Sequence, residues 1–163
     1  MAAAHPKWEP RSREDHMLRT YLRRVRRGGW LGSVHTEVPF GSPSGGTSRR
    51  LDAVRFPNLD NRIRRYRKAP FHADLLGAAP IELIEVKPKL NRTVIGQLVA
   101  AELLVRREWK VPKRRPLRLV AVVAQVDEAL ATVCDDLGIR IETVRHYGKL
   151  DIWKDSGVKI QAR

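Results

Sequence analysis

The stretch IELIEVKPKL, residues 81 to 90, places Glu82, Glu85 and Lys87 inside a segment that is otherwise apolar enough for a buried strand. Side chains alternate between the two faces of a strand, so Glu85 and Lys87 share one face and Glu82 lies on the other. Burying a charge is costly unless the charge pairs with an opposite one or binds a metal ion. The stretch therefore predicts a buried strand whose charged side chains have specific partners.

A second stretch, RRLDAVRF at residues 49 to 56, follows the same pattern, with Asp52 on a face that is otherwise apolar. If the two strands are neighbours, Asp52 and Glu85 can meet. Two carboxylates at one place repel each other, and a hard divalent cation relieves that repulsion. Such an ion activates a bound water and neutralises charge on a phosphate, and Lys87 would position that water or bind the phosphate. The two stretches together indicate metal-assisted hydrolysis of a phosphodiester.

The pattern of the surrounding chain predicts an α/β fold with a mixed central sheet flanked by helices. The predicted elements are a helix from Ser12 to RGG, strands SVHTEVPF and RRLDAVRF joined by the hairpin loop GSPSGGTS, the strand at 81, a helix over 93–109, the strand LRLVAVVAQV, the helix DEALATVCDDLG and the strand IRIETVRHY. Their order is α-β-β-β-α-β-α-β. SRED at the start of the first helix is a capping box.

The length of 163 residues suits one domain. We expect residues 1–11 to form a loose arm and residues 12–163 a single domain. The segment 57–80 is basic and irregular in pattern, which predicts an inserted loop with room for a short helix.

The net charge of +14 and the pI of about 10.8 favour a polyanionic partner, and DNA is the first choice. Basic residues are densest in RRVRR, NRIRRYRK and RREWKVPKRR, where Tyr66 and Trp109 are candidates for stacking on bases. The residues predicted to contact DNA phosphates are Arg62, Arg64, Arg65, Arg67, Lys113, Arg114 and Arg115. The alternatives are a solvated surface and a general arginine-rich composition.

Other classes are disfavoured. With the single cysteine, Cys134, no internal disulfide or cysteine zinc site is expected. The first residues lack the apolar region of a signal peptide, and LVAVVA is too short to span a membrane. We therefore expect an intracellular, cytoplasmic protein that associates with the nucleoid and not with a membrane. No phosphate-binding glycine loop is present, so no nucleotide cofactor is expected.

LDAV followed by ELIEVK resembles the motif of the PD-(D/E)XK nuclease superfamily, over about residues 12 to 145. The resemblance implies a restriction endonuclease-like α-β-β-β-α-β core and a DNA endonuclease that depends on Mg²⁺ or Mn²⁺. It assigns Asp52, Glu85 and the carbonyl of Val86 to the metal, and Lys87 to catalysis. Leu51 stands where the family motif has proline, and the gap between the two motif strands is long.

The same resemblance implies supporting roles for Glu14 on the first helix, as a further metal ligand, and for Gln97 in VIGQLVA, as a catalytic residue. Glu14 equally suits compensation of the helix dipole, and Gln97 suits a solvated helix face. Cleaving both strands of a duplex needs two sites, so a homodimer or a partner protein is expected. Two alternatives stay open: a catalytically silent DNA-binding scaffold with the same fold, and the nuclease subunit of a recombination or transposition complex.

Overall fold

The computed structural model describes residues 8–41, 49–57, 59–66 and 79–145. Its elements, in chain order, are α1 Arg13–Arg27, β1 Ser33–Phe40, β2 Arg49–Phe56, β3 Ile63–Arg65, β4 Ile81–Lys89, α2 Arg92–Glu108, β5 Leu117–Gln125, α3 Glu128–Asp136 and β6 Ile139–Thr143. The six strands form one mixed sheet in the order β3-β1-β2-β4-β5-β6. The predicted α/β class and the order of the core elements are confirmed.

Strand direction changes across the sheet. β1 is antiparallel to β2, and β2 is antiparallel to β4. β4, β5 and β6 run parallel to one another, as strands joined by helical crossovers do. The carboxyl ends of these three strands therefore meet at one end of the sheet.

The first helix begins as the capping box predicts. Ser12 Oγ accepts a hydrogen bond from the Asp15 amide at 3.0 Å, and Asp15 Oδ2 accepts one from the Ser12 amide at 3.0 Å. The helix ends at Gly28, whose amide donates to carbonyls of the last turn. Two reciprocal bonds satisfy main-chain donors that would otherwise lack partners, which fixes where α1 starts above the sheet.

The sheet has a separate apolar core on each face. On one face α1 contributes Leu18 and Tyr21, both 1% exposed. On the other face α2 packs against β4 and β5, with Leu98 completely buried. β4 lies in the middle and supplies both cores: Leu83 faces α2, and Ile84 faces α1. This position explains why the stretch at 81 is so apolar.

The segment 57–80 differs in part from its prediction, and other predicted segments lie outside the described residues. The segment 57–80 contains β3, a short edge strand parallel to β1, where the sequence predicted a loop or a short helix. Residues 67–78, the arm residues 1–7, loop residues 42–48 and residues from 146 onward lie outside the described ranges. The extent of the domain and of the arm stays a prediction. Within the described residues, none of the helices is both long enough and apolar enough to cross a bilayer.

Candidate active site

The strands β2 and β4 separate at the predicted acidic residues. Their pairing ends at Ala53 and Ile84, and the register continued by one residue places Asp52 opposite Glu85. Beyond this point the Val86 amide donates to Asp52 Oδ2 at 2.7 Å. The carboxylate of Asp52 thus serves the main-chain donor that has lost its strand partner, and this contact holds Asp52 at the opening between the strands.

The neighbouring strand β1 is distorted at the same level. Val34 packs in the core beneath α1, but Val38, four residues later, packs in the core beneath α2. Regular alternation would keep both on one face. Between them, Glu37 has φ of 55°, and the register leaves Glu37 and Asp52 unpaired. The side chains of the β1–β2 hairpin therefore exchange faces of the sheet at the level of Glu37 and Asp52.

Glu85 is the most deeply buried acid of the site. The residue is 1% exposed. Its Oε1 lies 3.6 Å from Lys87 Nζ, and its Oε2 is buried without a hydrogen-bond partner among the described residues. Burial, and then the charge of Asp52, raise the pKa of Glu85 to about 8. Without a cation, this carboxyl group is therefore held largely protonated at neutral pH.

Asp52 and Lys87 complete the charged centre. Burial raises the pKa of Asp52 to about 6, although the bond from the Val86 amide acts in the opposite direction. Lys87 Nζ donates to Glu14 Oε1 at 3.0 Å. Burial alone would lower the pKa of Lys87, but Asp52, Glu14 and Glu85 together raise it above its ordinary value. Lys87 therefore stays positively charged beside two acids that resist ionisation.

The oxygen donors available to a metal ion come from two strands. In the described part of the chain, no three side chains of His, Cys, Asp or Glu form a group that could hold a metal. Glu14 contacts Lys87 instead, so its predicted role as a ligand stays a prediction. Asp52, Glu85 and the carbonyl of Val86 remain as candidate donors. Mg²⁺ often binds through only one or two carboxylates and takes further oxygens from water and substrate phosphates, so this small set fits it.

Gln97 lies on α2, which packs against β4. Its Oε1 is buried and lacks a hydrogen-bond partner within the described residues. This burial contradicts the alternative of a fully solvated side chain. Its participation in catalysis stays a prediction.

The arginines of the segment 57–80 are exposed to different degrees. The Arg62 side chain is 70% exposed, with Nε 3.5 Å from Asp60 Oδ2. Arg64 also pairs with Asp60, and Arg65 Nε donates to Glu37 Oε2 at 2.5 Å. Arg67 lies outside the described residues. The exposed pairs of Arg62 and Arg65 are weak and screened, so they leave these two arginines available to phosphates, whereas the Arg64 side chain is only 22% exposed.

The second predicted basic cluster needs one correction. Lys113 and Arg114 are exposed, but Arg115 is only 3% exposed, and its Nε donates to the Ala79 carbonyl at 2.9 Å. Arg115 therefore joins two segments of the fold and is not a surface contact for DNA. Tyr66 and Trp109 are likewise partly buried against the core beneath α2, which disfavours base stacking.

Glu82 has partners that the sequence analysis did not identify. Its Oε2 accepts from Arg55 Nη1 at 2.7 Å, and its Oε1 lies 3.4 Å from Arg140 Nη2. Arg140 also donates to the Tyr21 hydroxyl at 3.0 Å. Arg55 and Arg140 are 27 and 58 residues away from Glu82, so no local pattern indicates these contacts. Glu82 is a structural residue, whereas Glu85 on the other face has an oxygen that no described residue contacts by a hydrogen bond.

No protein-family model matches the sequence, and no curated protein matches it. Among solved structures, the chain is similar to a crystal structure of a repair endonuclease from Pyrococcus abyssi, with 12% sequence identity and a TM-score of 0.49. The match covers 85% of this chain and 49% of that chain, so this chain spans about half of that protein's length. At this similarity the match assigns neither a family nor an activity.

Proposed function

We propose that the protein is a metal-dependent endonuclease that hydrolyses phosphodiester bonds of DNA and belongs to the PD-(D/E)XK superfamily. The observation that carries the proposal is the buried carboxyl group of Glu85, whose Oε2 has no partner in the described part of the chain. It lies at the point where β2 and β4 separate, beside Asp52 and Lys87. A buried polar atom without a protein partner is costly, and a catalytic role or a bound ion is among the reasons for which such an atom is retained.

A divalent cation would account for this arrangement. The candidate donors, Asp52, Glu85 and the carbonyl of Val86, are all oxygen atoms, which suits Mg²⁺ or Mn²⁺ better than softer metals. Binding of the cation would favour ionisation of both carboxyl groups, whose pKa values are raised to about 6 and about 8. When bound, the ion would supply charge neutralisation at the phosphate and a more acidic water.

The chain's own residues would do the remaining work. Lys87 keeps its proton because three acids surround it, so its ammonium group can orient the attacking water or neutralise charge on the phosphate. Glu14 holds Nζ of Lys87 in place from the first turn of α1. The exposed residues Arg62, Lys113 and Arg114 would contact the DNA backbone.

A cleavage assay tests the proposal. Purified protein is incubated with supercoiled, linear duplex, single-stranded and branched DNA, in Mg²⁺, in Mn²⁺ and in EDTA. We expect metal-dependent cutting of at least one form. Asp52→Asn, Glu85→Gln and Lys87→Ala should each lower the rate by roughly 100-fold or more, a size typical of removing one electrostatic catalytic group. Asp136→Asn, an exposed acid on α3, is the matched control.

Two outcomes would contradict the proposal. Cutting by Glu85→Gln at the wild-type rate would show that the activity does not come from this site. Salt-sensitive DNA binding without cutting of any form, in either metal, would support the scaffold alternative.

A further inference from the structure

A pocket of about 500 Å³ lies beside the C-terminal half of α1, away from the candidate active site on that helix. Four arginines line it: Arg23, Arg24 and Arg27 on α1, and Arg145 just after β6. The rest of the lining includes the carboxyl ends of β5 and β6. This volume is in the range of pockets that hold small ligands.

The positive charge of this pocket is only partly balanced. Arg24 Nη2 contacts Glu142 Oε2 at 2.5 Å, and Nη1 donates to the Thr143 carbonyl at 2.9 Å. Glu142 is shared, because its Oε1 also lies 3.1 Å from Arg140 Nε. Within the described ranges, no acidic side chain pairs with Arg27 or Arg145. An anion would therefore meet the guanidinium groups of Arg27 and Arg145 here.

Compensation of the helix dipole explains only part of the cluster. Arg24, Arg26 and Arg27 lie in the last turn of α1, where cations are favourable. Arg26 lies in the same last turn of α1 but does not line the pocket. Arg145 comes from a different element and gains nothing from the dipole of α1. The convergence of two elements on one cavity therefore indicates a ligand with negative charge.

The pocket and the candidate active site open at the same end of the sheet. The strand register aligns Lys87 with Val123 and Val123 with Thr143, on three adjacent strands. At a strand spacing of about 4.8 Å, Thr143 is about 10 Å from Lys87. Arg24 follows Glu14 by ten residues, which is about 15 Å along an α-helix.

We propose that this pocket binds a backbone phosphate of the DNA strand that enters the candidate active site. The separation of about 10 to 15 Å spans at most about four nucleotides of one strand, because phosphates spaced about 3.4 Å along the duplex axis lie farther apart in space. The planar fork of arginine matches phosphate oxygens with two parallel hydrogen bonds. The proposal rests on the proposed function for the identity of the strand. A free phosphate or a mononucleotide has the same chemistry, and the experiment separates these sources from DNA.

The first measurement is binding without cleavage. Full-length Arg27→Gln/Arg145→Gln is compared with wild type by fluorescence anisotropy in EDTA, on labelled single-stranded, duplex and branched DNA. We expect roughly tenfold weaker affinity, the effect of losing a charge-assisted contact, and a salt slope shallower by about 0.9 for each lost phosphate contact. The control Arg26→Gln/Arg118→Gln removes the same charge from exposed positions outside the pocket and should change affinity less.

The second measurement locates the phosphate with the wild-type protein first and then repeats the scan with the pocket variant. Uncharged methylphosphonate is placed at one position after another of the DNA, and wild-type affinity is measured. We expect one sensitive position within about four nucleotides of the cut, and this sensitivity should disappear in Arg27→Gln/Arg145→Gln. Equal sensitivity in both proteins would overturn the proposal.

The remaining outcomes separate the proposals from each other. Equal DNA affinity of pocket and control variants overturns the pocket assignment even if wild type cuts DNA. Loss of affinity only in the pocket variant supports it even if no DNA form is cut, which would count against the proposed function alone. A third outcome would assign the pocket to a free anion. In that case inorganic phosphate or adenosine monophosphate raises the melting temperature of wild type but not of the pocket variant, and the two proteins bind DNA with equal affinity.

Discussion

At the scale of single residues, two glutamates of one strand carry opposite meanings. Glu82 and Glu85 are both 1% exposed, on opposite faces of β4. Both oxygens of Glu82 have arginine partners, but Oε2 of Glu85 has none in the described part of the chain. A buried charge whose oxygens are all paired costs the fold little. A buried charge that is incompletely paired lowers the stability of the fold. This difference separates the structural acid from the candidate catalytic one.

The raised pKa of Glu85 predicts how stability depends on pH in the absence of metal. Its ordinary value is 4.5 and its value in the folded protein is about 8. Between these values the folded state binds more protons than the unfolded state, so stability falls as pH rises and the loss is complete above about pH 8. Glutamine resembles the protonated form. Glu85→Gln should therefore melt near wild type at about pH 5, and above wild type at about pH 9.

We expect a difference of at least about 1.4 kcal/mol at the higher pH, the equivalent of one pKa unit, or roughly 3 to 6 °C. Thermal melts in EDTA at both pH values measure it, with Asp136→Asn as the control. The same melting difference at both pH values would show that Glu85 does not titrate in this range.

The central residues of the candidate site could be predicted because their signal is local. Alternation within two short strands indicates that Asp52, Glu85 and Lys87 lie at the ends of apolar rows. The contact between Glu14 and Lys87 spans 73 residues of sequence and depends on where α1 crosses the sheet. Arg115 was wrongly assigned to the surface because a basic run gives no information about which member turns inward.

At the scale of elements, the capping box, the strand at 81 and the helices followed from pattern alone. β3 did not, since its three residues, Ile63–Arg65, contain no apolar run and form a strand only by pairing with β1. The change of face in β1 was also missed. It depends on the backbone conformation of Glu37, whose side chain has no special preference for positive φ.

This conformation gives a prediction about Glu37. A residue with a side chain at φ of 55° costs about 1 to 2 kcal/mol relative to the ordinary regions, and a β-branched residue is disfavoured most. Glu37→Val should therefore destabilise the protein by about 1 to 2 kcal/mol, although valine is a good strand former. Glu37→Gly should be near neutral, because relief of strain offsets the entropy cost of ordering glycine and the loss of the exposed pair with Arg65.

Urea denaturation of the two variants provides the measurement. Arg50→Val, an exposed position on the adjacent strand β2, is the control and should change stability little. If valine at position 37 is tolerated as well as glycine, β1 is a regular strand there. The exchange of faces at Asp52 would then need another cause.

At the scale of the whole molecule, the protein is strongly basic, but the candidate site contains two acids. The net charge is +14, yet the half-buried Asp52 and the buried Glu85 lie together at one opening of the sheet. Without a bound cation, a polyanion drawn to the basic surface would be repelled at this opening by ionised Asp52, and also by Glu85 once the pH rises above about 8. Metal binding and DNA binding should therefore support each other, with the cation completing a continuous positive path at the carboxyl ends of the parallel strands.

These two acids, as candidate metal ligands, give a final prediction that requires no substrate. A divalent ion that binds only the folded protein stabilises it by RT ln(1 + [L]/Kd), which is about 1.4 kcal/mol at tenfold Kd and roughly 3 to 6 °C in melting temperature. Because the ion must displace protons held with pKa values of about 6 and about 8, the shift should be larger at about pH 8.5 than at about pH 6. Melts with millimolar Mn²⁺ and with EDTA measure it. Asp52→Asn should lose most of the shift and Asp136→Asn should keep it; equal shifts in both variants would place the metal elsewhere.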